Sequence, residues 1–493
     1  MIAGQAKPSS FFLKTAFLFA LLERMGISFL TGFARDNMII DAKRIEDILS
    51  DIGEPNISTI DSILAKASSL NGLSLEDAAA LLSVESPDVM EKIFKKAGEI
   101  KEKIFGRRIV IFAPLYLSNY CVNNCLYCGF RKDNKDAVRK ALTIDEVIQE
   151  ANALAAKGFK RALLVCGEDT KISGIGYIIE AVDAIYKNTG IRIVHVNAPP
   201  MEVSELRRLK AAGVGVYQVF QETYHRPTYE VMHPSGKKRD YDYRLNAIDR
   251  AMEAGFEDVG IGSLLGLYDY KYDALATIAH SQYLYERFGS YAHTISAPRL
   301  RPADGSPITT ASYPVSDIEF KKIVAVYRLT LPSAGIVVST REGAGLRDEV
   351  MSIGASQISA GSRTEPGGYA LNTIRSKAGE QFSTSDHRSM EEMIASIARN
   401  GLLPSLCTTC YRVGRTGADF TKKALSGNME KFCQANAILT LQEYIMDCAQ
   451  NGAKEIGTAA IERGLEQIKE PALKKEVLRK LDEIKNGRRD VYL

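Results

Sequence analysis

The sequence contains no tryptophan, an absence that excludes no class of protein. It has little excess of either charge: 63 Lys and Arg against 60 Asp and Glu leave +3, with no basic block to follow a phosphate backbone. Nucleic acid is therefore not an expected partner. Long apolar runs are missing too. The run Phe11–Leu22 is bounded tightly by Lys14, Glu23 and Arg24 and is too short to cross a bilayer. No convincing small-residue cleavage site follows it, so export is not expected, nor is a membrane partner. Residues 1–37 read as a non-functional extension, with an organelle-targeting leader as the alternative and Met38 near the working start. There is no Walker A loop, no G-x-G-x-x-G opening a helix, no internal repeat and no low-complexity segment.

What is present is a globular composition, 45% hydrophobic and 25% charged, in 493 residues, enough for a barrel with additions. Of eight cysteines, six fall in two tight groups. That usage fits metal binding in a reducing compartment, here the cytoplasm, better than a disulfide framework. The first group is Cys121-Val-Asn-Asn-Cys125-Leu-Tyr127-Cys128, directly after the apolar run Arg108–Tyr116. Three close thiolates without a fourth suit a four-iron cluster that keeps one iron open. A structural zinc site would want four ligands, and it remains the alternative. This Cys-x3-Cys-x2-Cys, with the aromatic Tyr127 before the last cysteine, resembles the signature of the radical S-adenosylmethionine (SAM) enzymes. The resemblance implies that the open iron holds the amino and carboxylate groups of SAM.

From Arg108 onward, short β-rich runs alternate with amphipathic helices. The pattern predicts strands at Ile109–Leu117, Ala162–Cys166, Ile191–Val196, Val214–Phe220, Val259–Leu265, Thr294–Arg299, Ile336–Ser339 and Gln357–Ala360. Helices are expected between them, at Ile144–Ala156, Ser204–Ala212, Asp242–Ala254 and Tyr272–Arg287. The fold class is α/β: a (β/α)8 TIM-type barrel, with an open doubly wound sheet as runner-up. A helical lead-in precedes it, marked by the capping-box-like Ser74-Leu-Glu-Asp77. A mainly helical domain follows it. The expected boundaries are 1–37 extension, 38–106 lead-in, 107–375 barrel and 376–493 carboxyl-terminal cluster domain.

In a barrel the chemistry belongs on the loops at the strand carboxyl ends. Cys166-Gly167-Glu168 falls there and resembles the family's Gly-Gly-Glu motif, which binds the SAM amine, with Cys166 in place of the first glycine. Glu222, after the fourth strand, stands where a ribose hydroxyl could be held; a structural carboxylate is the alternative. Gly260-Ile-Gly262 resembles the family's Gly-x-Ile-x-Gly strand, whose bare backbone lies against adenine. Arg299, Arg301 and Arg341 sit at strand ends, where a guanidinium fork suits a carboxylate.

The second cysteine group is Cys407-Thr-Thr-Cys410, followed at a distance by Cys433, with Cys448 as an alternative further ligand. It is again three thiolates, so the open-iron argument applies twice. The stretch Cys407–Gly417 with Phe432–Tyr444, together with Glu222–His225, His233–Gly236, Gly266–Lys271 and His293–Pro302, resembles the HydG family, the tyrosine lyases that mature iron-only hydrogenase. The related thiamine-pathway lyases (ThiH) share the barrel and the tyrosine cleavage but not the second cysteine group.

The resemblance implies two 4Fe-4S clusters, SAM, tyrosine as substrate, and a low-potential electron donor such as ferredoxin or flavodoxin, with other hydrogenase maturases as further partners. Tyrosine would be split to p-cresol and dehydroglycine, and the second fragment turned into CO and cyanide on an additional iron. Arg341 is the candidate clamp on the substrate carboxylate. The resemblance also leads one to expect a histidine pair on the helix after Gly266-Leu-Tyr-Asp-Tyr, the second anchoring that iron. Here the run is His280-Ser-Gln-Tyr283, which leaves His280 as the candidate ligand and keeps a dehydroglycine-releasing lyase open as the alternative.

Overall fold

The computed structural model describes residues 38–370 and 379–493; the reading of residues 1–37 lies outside the described residues. Ala42–Leu493 form one compact unit. The architecture starts from β1, Arg108–Ser118, which is buried along its whole length. A strand covered on both faces reads as a continuous apolar run, and Ile109 to Leu117 is one.

Seven more strands follow in parallel: β2 Arg161–Cys166, β3 Ile193–Asn197, β4 Tyr217–Gln218, β5 Val259–Gly262, β6 Thr294–Ser296, β7 Gly335–Val338 and β8 Gln357–Ser359. Each pairs with the next, and β1 pairs with both β2 and β8, so the sheet closes into an eight-stranded barrel. The open doubly wound alternative is thereby removed. Strand β4 is shorter than expected, yet the N–H groups of Val219 and Gln221 still donate to Gly260 and Gly262 at 3.1 Å each.

Three of the four expected connecting helices form within two residues of their predicted bounds, while Asp242–Ala254 is split at Asn246 into Tyr241–Leu245 and Ala247–Glu253. Ile144–Ala156 opens with Thr143 and Glu146 satisfying each other's backbone N–H groups, a capping box. The lead-in is four helices, Ala42–Asp51, Ile57–Ala67, Leu75–Ser83 and Pro87–Phe105. Ser74 and Asp77 form the expected capping box.

The unexpected element is β9, Leu403–Ser405, which pairs in parallel with the first residues of β1, Arg108 to Val110. This short strand carries the chain to the amino-terminal rim of the barrel. Cys407 and Cys410 follow it directly, and the helix Glu430–Asp447 returns Cys433 to the same place. The second cysteine group therefore lies at the end of the barrel opposite the first.

Candidate functional site

The loop after β1 turns back under the carboxyl ends of the strands and brings Cys121, Cys125 and Cys128 to the wall of a cavity of about 220 Å³. Tyr127, Gly167, Glu168, Glu222 and Arg341 share that wall. Gly167 is required by proximity: a Cβ there would lie 2.3 Å from the Tyr120 carbonyl oxygen. Burial pushes the Cys125 thiol up to about 11 and the Cys128 thiol up to about 12; for both, Lys238 pulls the other way. Buried thiols of this kind ionise when a metal takes the place of the proton.

Cys121, Cys125 and Cys128 all open onto this cavity, and three thiols beside a void fit a four-iron cluster with one open iron.

Asn123 Nδ2 donates to Glu168 Oε2 at 2.6 Å, tying the cysteine loop to the end of β2. Glu222 occupies the left-handed region, φ 73°, and accepts from Lys238 Nζ at 2.5 Å, with Arg244 at 3.7 Å. Burial would raise its pKa, but these two cations outweigh burial and hold Glu222 below the usual carboxylate range. Tyr127 is fixed as well. Its hydroxyl donates to His233 Nε2 at 2.8 Å, and His233 Nδ1 donates to the Tyr229 carbonyl at 2.7 Å.

Of the three arginines, Arg299 is consumed by structure, with Glu342 at 2.5 Å and Asp317 at 2.8 Å. Arg301 Nε donates to the Arg341 carbonyl at 2.6 Å. Arg341 faces the cavity with its guanidinium over the Phe382 ring at 3.3 Å and one long contact, 3.5 Å, to the Arg299 carbonyl. It retains donors for an incoming anion.

Gly260 and Gly262 do not line this cavity. A Cβ on Gly260 would meet Thr294 Oγ1 at 2.5 Å and Gln218 Cγ at 2.6 Å, and one on Gly262 the Ser296 carbonyl at 2.4 Å. Strand packing inside the barrel, rather than a ligand, accounts for both glycines.

At the opposite rim, a second cavity is lined by Cys407, Cys410 and Cys433, with Arg108 and His293 beside them. Burial pushes the Cys410 thiol up to about 12, the neighbouring thiols adding to it. Burial also raises Cys433, against the pull of the Arg108 guanidinium. Each trio thus has cations beside it, Lys238 and Arg244 in one and Arg108 in the other.

His280 is not brought here. It lies on the helix Tyr270–Phe288, which packs outside β5 and against the lead-in helices, and its Nδ1 meets the Tyr224 hydroxyl at 2.9 Å. Tyr283, on the same helix, donates to Asp249 Oδ2 at 2.7 Å. A helix on the outer layer cannot aim these side chains into the rim cavity. The histidine that lines it is His293, immediately before β6, with Nδ1 3.2 Å from Asp258 Oδ1 and Nε2 2.9 Å from the Tyr411 hydroxyl. Cys448 caps the helix Glu430–Asp447 and is not part of the cavity wall.

Sequence reasoning passed over Lys238, Arg244 and Arg108, because nothing in linear order ties them to the thiols they face. His293 stands within a motif quoted above, and its place at a strand start was the available signal.

Residues 115–280 match the model of the radical SAM superfamily, and residues 296–403 that of the biotin and thiamin synthesis associated domain. The chain is 34% identical to the 2-iminoacetate synthase of Escherichia coli K12, over 69% of this chain and 88% of that one. A crystal structure of HydG, a maturase of the [FeFe]-hydrogenase, superposes with a TM-score of 0.89 at 47% identity, covering 92% of this chain and all of that one. The chain belongs to the HydG family of radical SAM enzymes. A second member, HydG from Carboxydothermus hydrogenoformans, superposes with a TM-score of 0.79 at 37% identity over 90% of this chain. Membership in the radical SAM family implies one 4Fe-4S cluster, SAM and a source of electrons. No helix among the described residues is long and apolar enough to cross a membrane.

Proposed function

We propose that the chain is a radical SAM lyase that splits tyrosine into p-cresol and dehydroglycine and turns the second fragment into CO and cyanide for hydrogenase cofactor assembly. The observation that carries this reading is the pair of thiol trios at opposite ends of one barrel, in cavities that share Arg161 and Gln357 in their walls. A lyase that merely released dehydroglycine would have no use for the second trio. The Tyr283 substitution, which favoured that alternative, lies on the outer helix and so bears on neither cavity.

Cys121, Cys125 and Cys128 would hold the first cluster, and Cys407, Cys410 and Cys433 the second, with His293 the imidazole available to an additional iron. When bound, the first cluster and SAM supply one-electron chemistry that ends in a primary carbon radical. The residues supply the rest. Glu168, oriented by Asn123, takes the SAM ammonium, and Glu222, oriented by Lys238 and Arg244, takes a ribose hydroxyl. Arg341 fixes the tyrosine carboxylate, and the apolar wall of Phe112, Phe130 and Phe220 keeps water from the reacting atoms. The electron donor is a low-potential carrier such as ferredoxin or flavodoxin, and the cytoplasm is the compartment.

The test is anaerobic reconstitution followed by turnover with SAM, reductant and tyrosine. We expect about eight irons per chain, p-cresol, CO trapped by deoxyhaemoglobin, and cyanide. SAM cleavage without p-cresol would reject tyrosine as the substrate, and p-cresol with glyoxylate but no CO would reject the maturase assignment.

A further inference from the structure

Behind the second cavity, at the amino-terminal rim, the structure buries more positive charge than it pairs. Arg108 opens β1 and lines the cavity with the three thiols. Its guanidinium lies 4.8 Å from the centre of the Phe105 ring, and the Arg328 guanidinium lies 5.0 Å from the same centre. Arg328 belongs to the helix Asp317–Thr330, which packs against the helix Pro87–Phe105 that carries Lys101. Lys101 and Arg328 are each 0% exposed.

Every hydrogen-bond partner of these two is neutral. Arg328 donates to the Gly354 carbonyl at 3.1 and 3.0 Å, to the Pro332 carbonyl at 2.6 Å and to the Ser356 hydroxyl at 3.4 Å. Lys101 Nζ donates to the Met351 carbonyl. Burial, with the Arg108 charge adding to it, pushes Arg328 down to about 9. Burial pushes Lys101 down to about 7. Glu102 pulls Lys101 the other way, but it is partly exposed and paired with Arg107 at 3.3 Å. Lysine and arginine are almost never fully buried unless an anion pairs with them. The anionic groups at the open end of this column are the three thiols that Arg108 accompanies.

We propose that Arg108, Arg328 and Lys101 are the built-in counter-charge of the second cluster and hold its reduction potential up. This rests on the two-cluster reading above. A four-iron cluster on three thiolates carries net negative charge, more of it when reduced, and net charge is one of the quantities that set its potential. In an interior of low dielectric a cation acts beyond contact distance. Neither Arg328 nor Lys101 lines the cavity, so both act through charge alone. The first trio is placed differently: Lys238 and Arg244 there are offset by Glu222, at 2.5 and 3.7 Å.

The experiment compares the reconstituted parent with Arg328→Met, Lys101→Met and Arg328→Lys in redox titrations followed by EPR, with iron content alongside. The midpoint of the second cluster falls in both methionine variants. In Arg328→Met it falls by about a tenfold change in the reduction equilibrium, about 59 mV for one electron, while the first cluster keeps its midpoint. Arg328→Lys returns the second midpoint toward the parent, because it keeps the charge and loses the fork of hydrogen bonds. A second midpoint at the parent value in both methionine variants overturns the proposal. So does an equal shift of both clusters, or a shift that Arg328→Lys shares in full. Where the methionine variants lose the second cluster's iron instead, Arg328→Lys decides: iron retained there supports the charge requirement, and iron lost there overturns it. A parent that shows no second cluster signal fails the two-cluster reading itself, and a parent with both signals and unshifted variants fails only this one.

Discussion

At the scale of single residues, charges buried beside thiols and carboxylates govern the first cavity. Lys238 and Glu222 are 10% and 14% exposed and form a close pair, with Arg244 behind them. Glu222→Gln strips the carboxylate from two buried cations and should cost about 3–5 kcal/mol, read as a lowered denaturation midpoint. Its pH signature follows from the depressed pKa. The stabilisation is fully present above the ordinary carboxylate pKa and is lost as pH falls through the lower folded-state value.

Asp273 gives the opposite case. Burial raises its pKa to about 7, and its Oδ1 accepts from Tyr224 N–H at 2.8 Å and the Thr223 hydroxyl at 3.1 Å, while Oδ2 has no partner. The folded state holds a proton that the unfolded state releases, so stability declines from about pH 4 toward pH 7. Asp273→Asn keeps the acceptor and removes that decline, by at most about 4 kcal/mol. Unfolding curves at pH 4.5 and 7.5 check it, and equal pH slopes in parent and variant would contradict it.

At the scale of elements, two glycines show how one residue type serves different ends. Gly260 stands between β4 and β6, where an added methyl group has no room. Gly260→Ala should lower stability by about 1–3 kcal/mol, seen in thermal unfolding. Gly167→Ala presses instead on the Tyr120 carbonyl and through it on the cysteine loop. We expect SAM cleavage to fall at least about tenfold while the second trio keeps its iron, as separate EPR signals would report. Much of this layer was readable beforehand. The helix at Ile144–Ala156 and strand β2 formed where periodicity put them, because each must hide one apolar face. Strand β9 was not readable. Three residues containing a proline, Leu403-Pro-Ser405, have too little pattern of their own and form a strand only because β1 offers an open edge.

At the scale of the whole molecule, the barrel separates the two thiol trios by its own length. Cys121→Ala should abolish SAM cleavage and p-cresol together. Cys407→Ala should spare SAM cleavage while CO falls to background, because Cys407 stands at the far rim. Product analysis of the two reconstituted variants checks this, and parallel loss of p-cresol in both would mean that the two ends do not act independently.

The sequence by itself determined the fold class and the grouping of the first three cysteines. Strand and helix periods follow from burying one face, and Cys121, Cys125 and Cys128 are close in space because they are close along the chain, whereas Cys433 reaches Cys407 and Cys410 only through the return of the helix Glu430–Asp447. The tertiary structure alone decided which other residues accompany each trio. Arg108 opens β1 and His293 precedes β6, yet closure of the barrel sets both in the wall of the cavity that Cys433 lines. His280, which the linear motif had offered instead, is carried away on an outer helix. Contacts across a barrel depend on strand order and register, and those are settled by packing among all eight strands rather than by any one stretch of chain.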